Sequence, residues 1–225
     1  MQEIASMMGK LHTFHTYDVY VASATSGVFA ALAAIDDFDS IDQLTVRLSE
    51  NKKPLFPFFQ KELTVSDHVR MMYGADKHRK VVAANKPVYI PLLNLNTGDI
   101  VFKNITVLPY GEALLVLCTS AQSPCESKPS YIDSDYYITA TIVDNIGFYH
   151  VVEQVDIIHI DMVIPRKRLV STNWNPNHTS VVERVFALIN NKLTAKQEFE
   201  ISVISEARDV KTTIYFLDSV VAEPV

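Results

Sequence analysis

Glycine is scarce in this chain, with six residues in 225 (Gly9, Gly27, Gly74, Gly98, Gly111 and Gly147), and no two lie closer than 13 positions. Loops that cradle phosphate need clustered glycines, so that backbone N–H groups converge on the anion without Cβ clashes. Walker-type and dinucleotide-binding sites are thereby excluded. Cysteine is scarcer still. Cys118 and Cys125, with six residues between them, make no disulfide framework and fit neither a zinc knuckle nor a redox Cys-X-X-Cys. Long apolar runs are missing as well. The longest, Gly27 to Ile35, is nine residues, about half a membrane span. The opening Met1-Gln2-Glu3-Ile4 lacks the basic-then-apolar pattern of a signal peptide and the second-position glycine of myristoylation. Cytoplasmic synthesis without secretion is the expectation, and the sequons at Asn104 and Asn177 then read as chance matches.

What is present is an ordinary globular composition: 48% apolar, 20% charged and a formal net charge of −6. A chain of this length buries roughly 70% of the surface it exposes when unfolded, so it needs no staples. The negative balance argues against non-specific nucleic-acid binding, which wants a basic face. The runs Lys77–Lys80 and Arg166–Arg168 are too short to carry such affinity alone and have no interleaved stacking aromatics.

The pattern predicts an α+β fold in a single domain over 1–225, with three parts. The first, about 1–86, reads as mainly helical. Tyr17 to Val21 alternates as a short strand, while Val28, Ala31, Leu32 and Ile35 form a helical stripe. A helix from Ser40 to about Glu50 is predicted, capped by Asp39, and a short one from Asp67 to Tyr73, capped by Ser66 and stopped at Gly74. The second part, about 87–164, reads as a central antiparallel β-meander closing into a small barrel or sandwich. Its clearest signal is the hairpin of Val88–Leu95 and Ile100–Leu108 across Asn96-Thr97-Gly98-Asp99. Ala113–Thr119 reads as a central strand, Tyr136–Val143 as an alternating one with Tyr136, Ile138, Ala140 and Ile142 on one face and Thr139 and Thr141 on the other, and Phe148–Val155 and Ile157–Ile164 complete the series. The third part, about 165–225, predicts a helix from Val181 to about Asn191 and a terminal hairpin of Glu198–Ile204 with Val210–Val221.

No motif for chemistry rises clearly above this background. Gly-X-Ser-X-Gly, His-Glu-X-X-His and kinase signatures are absent. His12 and His15 have helical i, i+3 spacing, but zinc needs two further ligands and no cysteine pair lies nearby. The acidic run from Asp36 to Asp42 lacks the sixth-position glycine of a calcium loop. Cys118 could serve as a nucleophile with a distant histidine, and His159 and Asp161 share a strand face where they could orient each other or hold a metal. A buried thiol and a solvated carboxylate–imidazole pair explain the same residues. No catalytic residue, metal or cofactor is assigned. Aromatic residues in a Pro-punctuated loop, Phe56, Phe58 and Phe59, and the lone tryptophan, Trp174, are the candidate partner contacts. The leading expectation is a non-enzymatic structural or assembly subunit, in the manner of a bacteriophage virion component from tail, neck, baseplate or capsid. Its partners would be other protein subunits or further copies of itself, with no membrane and no nucleic acid. A hydrolase using Cys118 or His159/Asp161, and a small protein-binding module, are the alternatives.

Overall fold

A computed structural model describes residues 2–50, 64–122, 128–143, 147, 159–167, 196, 199–201, 203, 206 and 210–219. The chain divides into two compact units, Met1–Ala140 and Thr141–Val225.

The first unit opens with α1 (Gln2–Phe14), β1 (Tyr20–Val21), α2 (Ser26–Ala33), α3 (Phe38–Glu50), α4 (Val65–Met72) and α5 (Ala75–Ala84). It continues through β2 (Val88–Asn94), β3 (Ile100–Asn104), a 3-10 turn at Ile105–Val107, α6 (Tyr110–Ala121), β4 (Ser130–Ile132) and β5 (Asp135–Thr139). Helix starts follow local capping chemistry. Asp37, and not Asp39, caps α3, accepting from the backbone N–H and hydroxyl of Ser40. Thr64 caps α4 through a capping box with Asp67. Ser66, expected at that cap, lies within α4 instead and donates its hydroxyl to the Cys118 carbonyl at 3.3 Å.

β2 is the centre of a five-stranded mixed sheet. The predicted hairpin pairs it antiparallel with β3, from Tyr89↔Asn104 to Leu93↔Ile100. Its other edge is divided. The first part pairs parallel with β1 through Val88 and Tyr89, the last antiparallel with β5 through Leu92 to Asn94. The carbonyls of Pro87 and Tyr89 point at β1. By strand alternation Pro91 meets that same edge in the gap between the two neighbours. A proline deep in a sheet would normally remove a ladder bond. Here no strand asks for one.

Helices α2 and α6 cover the face that carries Ile90, Leu92, Asn94, Tyr137 and Thr139. A Cβ on Gly27 would sit 2.9 Å from Ile90 Cδ1 and 3.5 Å from Leu117 Cδ2. That glycine sets how closely α2 approaches β2. β5 buries the face that carries Thr139 and not the one that carries Tyr136. Tyr137 and Thr139 point inward at 4% and 2% exposure, while Tyr136 is 51% exposed. The inward polar groups are hydrogen-bonded, which is what makes their burial affordable.

Two further corrections concern this unit. Ala113–Thr119 is not a strand but the body of α6, where every residue from Ala113 to Ser120 except Leu115 is buried. A helix buried nearly all round shows no stripe, and its short apolar run reads like a central strand. Pro109, with φ −58°, and Glu112 mark its true start. The described strands form no closed barrel. They make an open sheet with helices on one face.

In the second unit β6 (His159–Lys167) pairs with β7 (Lys211–Ser219) in a separate two-stranded sheet. The pair is parallel and in register from His159↔Lys211 to Lys167↔Ser219. This overturns the terminal hairpin. The described residues between Lys196 and Glu206 are helical, Lys196 bridges to Glu200 at 3.3 Å, and Ile201 is buried while Phe199 and Val203 are exposed. Parallel strands need a crossover between them, and a helix supplies one. The expected strand Phe148–Val155 and helix Val181–Asn191 lie outside the described residues, except as far as Gly147 precedes the former.

Candidate functional site

The densest set of polar side chains in the first unit gathers around the turn between α2 and α3. α1 is anchored by Ile4, Ala5 and Leu11, all buried, and its last turn delivers His12 to this point. His12 Nδ1 lies 3.3 Å from Asp36 Oδ1, and the Tyr20 hydroxyl lies 3.3 Å from His12 Nε2. A carboxylate only accepts, so Nδ1 carries the proton and Nε2 accepts from the tyrosine. Tyr17 and Phe38 wall the imidazole at ring separations of 5.2 and 4.9 Å, leaving its side chain 9% exposed. Asp36 holds a left-handed backbone, φ 56°.

Outwardly, Tyr20–His12–Asp36 has the order of a nucleophile, a base and an orienting acid. Its electrostatics argue otherwise. Burial, with Asp36 and Asp18 adding to it, pushes the Tyr20 phenol well above its ordinary value. Burial also lowers His12, outweighing the hydrogen bond and charge of Asp36. The phenol stays protonated and the imidazole neutral. The arrangement is a staple between α1, β1 and the α2–α3 turn.

One residue further on, a second network ties α3 to α5. The Ser40 hydroxyl donates to Asp37 Oδ2 at 2.8 Å, and Lys77 Nζ sits 2.5 Å from Ser40 Oγ and 3.2 Å from Asp37 Oδ2. A serine–lysine dyad needs a neutral amine as base. Burial alone would raise Asp37, but Ser40 and Lys77 together hold its carboxyl below the usual range. The ionised carboxylate of Asp37 takes both Ser40 and Lys77 into one structural network. The serine is a partner of the Asp37 cap and not a nucleophile.

A third chain is fully internal. His78 Nε2 donates to the Leu108 carbonyl at 2.9 Å, so Nδ1 accepts the Tyr73 hydroxyl at 3.0 Å. Tyr73 is wholly buried and its phenol is raised by that burial. Cys118 is 1% exposed on α6, its thiol directed at the Ser66 carbonyl at 3.7 Å. Burial raises the thiol, which disfavours the thiolate that a nucleophile requires.

In the second unit the structure does bring His159 and Asp161 together, with Nε2 3.2 Å from Oδ1, and Thr213 Oγ1 of β7 lies 3.3 Å from the same nitrogen. Among the described residues no group of three His, Cys, Asp or Glu side chains converges to hold a metal. No described helix is long and apolar enough to cross a membrane. Phe56, Phe58, Phe59 and Trp174 all lie outside the described residues. Of the groups that the structure does assemble, His12 and the His159/Asp161 pair were singled out in sequence as candidate sites. Tyr20, Asp36, Asp37 and Lys77 come from other elements, and only the fold shows that they meet. A scan of protein-family models finds none that matches this chain, and a search of curated proteins finds no relative.

Proposed function

We propose that this chain is a non-enzymatic assembly subunit that acts through contacts with other protein subunits, further copies of itself included. One observation carries the reading. The polar groups gathered around His12, Ser40 and His78 are spent on internal bonds, while a row of large side chains is left outside. Leu95, Tyr136 and Tyr131 stand side by side across β2's end, β5 and β4, exposed by 45%, 51% and 59%, with the two tyrosine rings 5.2 Å apart. Tyrosine pairs of this kind are favoured at protein interfaces, where a rigid ring gives large contact area at small entropic cost and its hydroxyl tolerates water.

Cross-linking mass spectrometry tests it, on the purified chain and in a lysate of its source. Lys128 is exposed and three positions from Tyr131, so intermolecular cross-links are expected there. The double variant Tyr131→Ser/Tyr136→Ser should abolish them while changing stability by no more than about 1 kcal/mol, as exposed substitutions do. A chain that stays monomeric and gives only intramolecular links at Lys128 in both settings overturns the proposal.

A further inference from the structure

A histidine that donates to a carboxylate and accepts from a buried hydroxyl can make both bonds only while it is neutral. His12 is such a residue. Its Nδ1–H faces Asp36 at 3.3 Å and its Nε2 takes the Tyr20 hydroxyl at 3.3 Å. When a proton from solvent is added at Nε2, that nitrogen becomes a donor. The Tyr20 oxygen can turn to accept from it, but the phenol's own hydrogen then loses the acceptor it has, in a site where Tyr20 is 8% exposed. A buried donor left without a partner is strongly unfavourable.

The surroundings give the cation little help. Asp36 attracts it, but that side chain is 71% exposed and therefore well screened. Lys86, just before β2, repels it. From α3 the ring meets Phe38, and from the loop before β1 it meets Tyr17, which in turn contacts His15. Asp18 acts on Tyr20 and raises it further. Burial lowers His12 in keeping with this geometry.

We propose that His12 is an acid-sensitive latch for α1: protonation withdraws the acceptor from Tyr20 and loosens α1 from β1 and the α2–α3 turn. The device is independent of the assembly reading above and operates within one chain.

Hydrogen exchange on the full chain tests it, between about pH 7.5 and about pH 5, the window in which an imidazole titrates. Peptides covering α1 are compared with peptides covering α6 after correction for intrinsic rates. Protection of α1 relative to α6 is expected to fall by roughly threefold or more on acidification. His12→Gln, which keeps a donor and an acceptor but does not titrate, should make the ratio independent of pH. Should that variant fail to fold, Tyr20→Phe, which has no hydroxyl hydrogen to orphan, should shrink the fall by at least half, and His15→Gln should leave it unchanged. An α1 ratio that does not change with pH in the parent chain overturns the latch. So does a fall that persists in His12→Gln or disappears in His15→Gln.

Discussion

Replacing Asn94 offers the sharpest test of how the sheet holds its shape. Asn94 is 4% exposed at the end of β2. Its Oδ1 accepts from the backbone N–H of Asn96 at 2.8 Å and of Thr97 at 3.3 Å, which closes the turn. Its Nδ2 donates to Asp135 Oδ2 at 3.0 Å and to the Tyr137 hydroxyl at 3.4 Å, which ties the turn to β5. Of the four bonds two are short, and one of those is to a charged acceptor. A neutral bond contributes about 1 kcal/mol net and one to a charge about 1.5–3 kcal/mol. With the two long bonds counted at little, Asn94→Ala should cost about 3 kcal/mol. At about 2–4 °C per kcal/mol this lowers Tm by about 6–12 °C. Asn94→Asp keeps the two acceptor bonds but sets a carboxylate where the amide met Asp135. It should be at least as destabilised as the alanine variant near pH 7 and recover as one carboxyl of the pair takes up a proton, below about pH 5. Urea denaturation of both variants at the two pH values is the assay. An aspartate variant within about 0.5 kcal/mol of the parent at pH 7, or one with no greater acid recovery than the alanine variant, would refute the reasoning.

Asp37 gives a prediction of sign. Its folded pKa lies below the unfolded value, so the unfolded chain takes up its proton first. The stabilisation is present above about pH 4 and is lost as pH falls through the folded value. Asp37→Ala should therefore be about 1–2 kcal/mol less stable near neutrality and show a flatter acid limb in urea titrations. Cys118 is inert by burial. In a Cys125→Ser background an aromatic disulfide reagent should label no thiol in the native state and one after denaturation, and rapid native labelling would contradict its placement on α6. Asp133 and Ser134 join β4 to β5 in a two-residue turn with φ 49° and 73°. Ser134→Gly should stabilise by about 0.5–1 kcal/mol, read as a shift in urea midpoint, because glycine takes positive φ without strain. A destabilised glycine variant would mean that the turn is not of this kind.

What could be read from the sequence was what neighbouring residues decide. The Asn-Thr-Gly-Asp hairpin was legible because turn chemistry is local, and so were α2 and most of α3. The β4–β5 turn was missed because Asp133 and Ser134 stand where asparagine and glycine would have signalled positive φ. α6 was missed because burial on nearly every side erased its period. The inner face of β5 was not legible, since Asn94 and Tyr137 are polar groups buried by bonding to each other, and a rule that sends polar side chains outward fails there. The parallel pairing of β6 with β7 joins segments too far apart for any local signal. Of the candidate site, the helical spacing of His12 was visible, but its partners Tyr20 and Asp36 arrive from separate elements.

The divided edge of β2 also fixes an order of assembly. Its pairing with β3 closes a turn of a few residues and β5 adds to an antiparallel core, whereas β1 must bring Tyr20 to Val88 across a long stretch that includes α2, α3, α4 and α5. Loop-closure entropy makes that last pairing slow to nucleate. Asn94 should show a φ-value well above that of Tyr20 in a chevron analysis. The strand that joins last is the first to part when the molecule opens, and α1 is stapled to it. On this order the N-terminal helix and β1 should part together from the sheet, ahead of the β2–β3 and β2–β5 pairings.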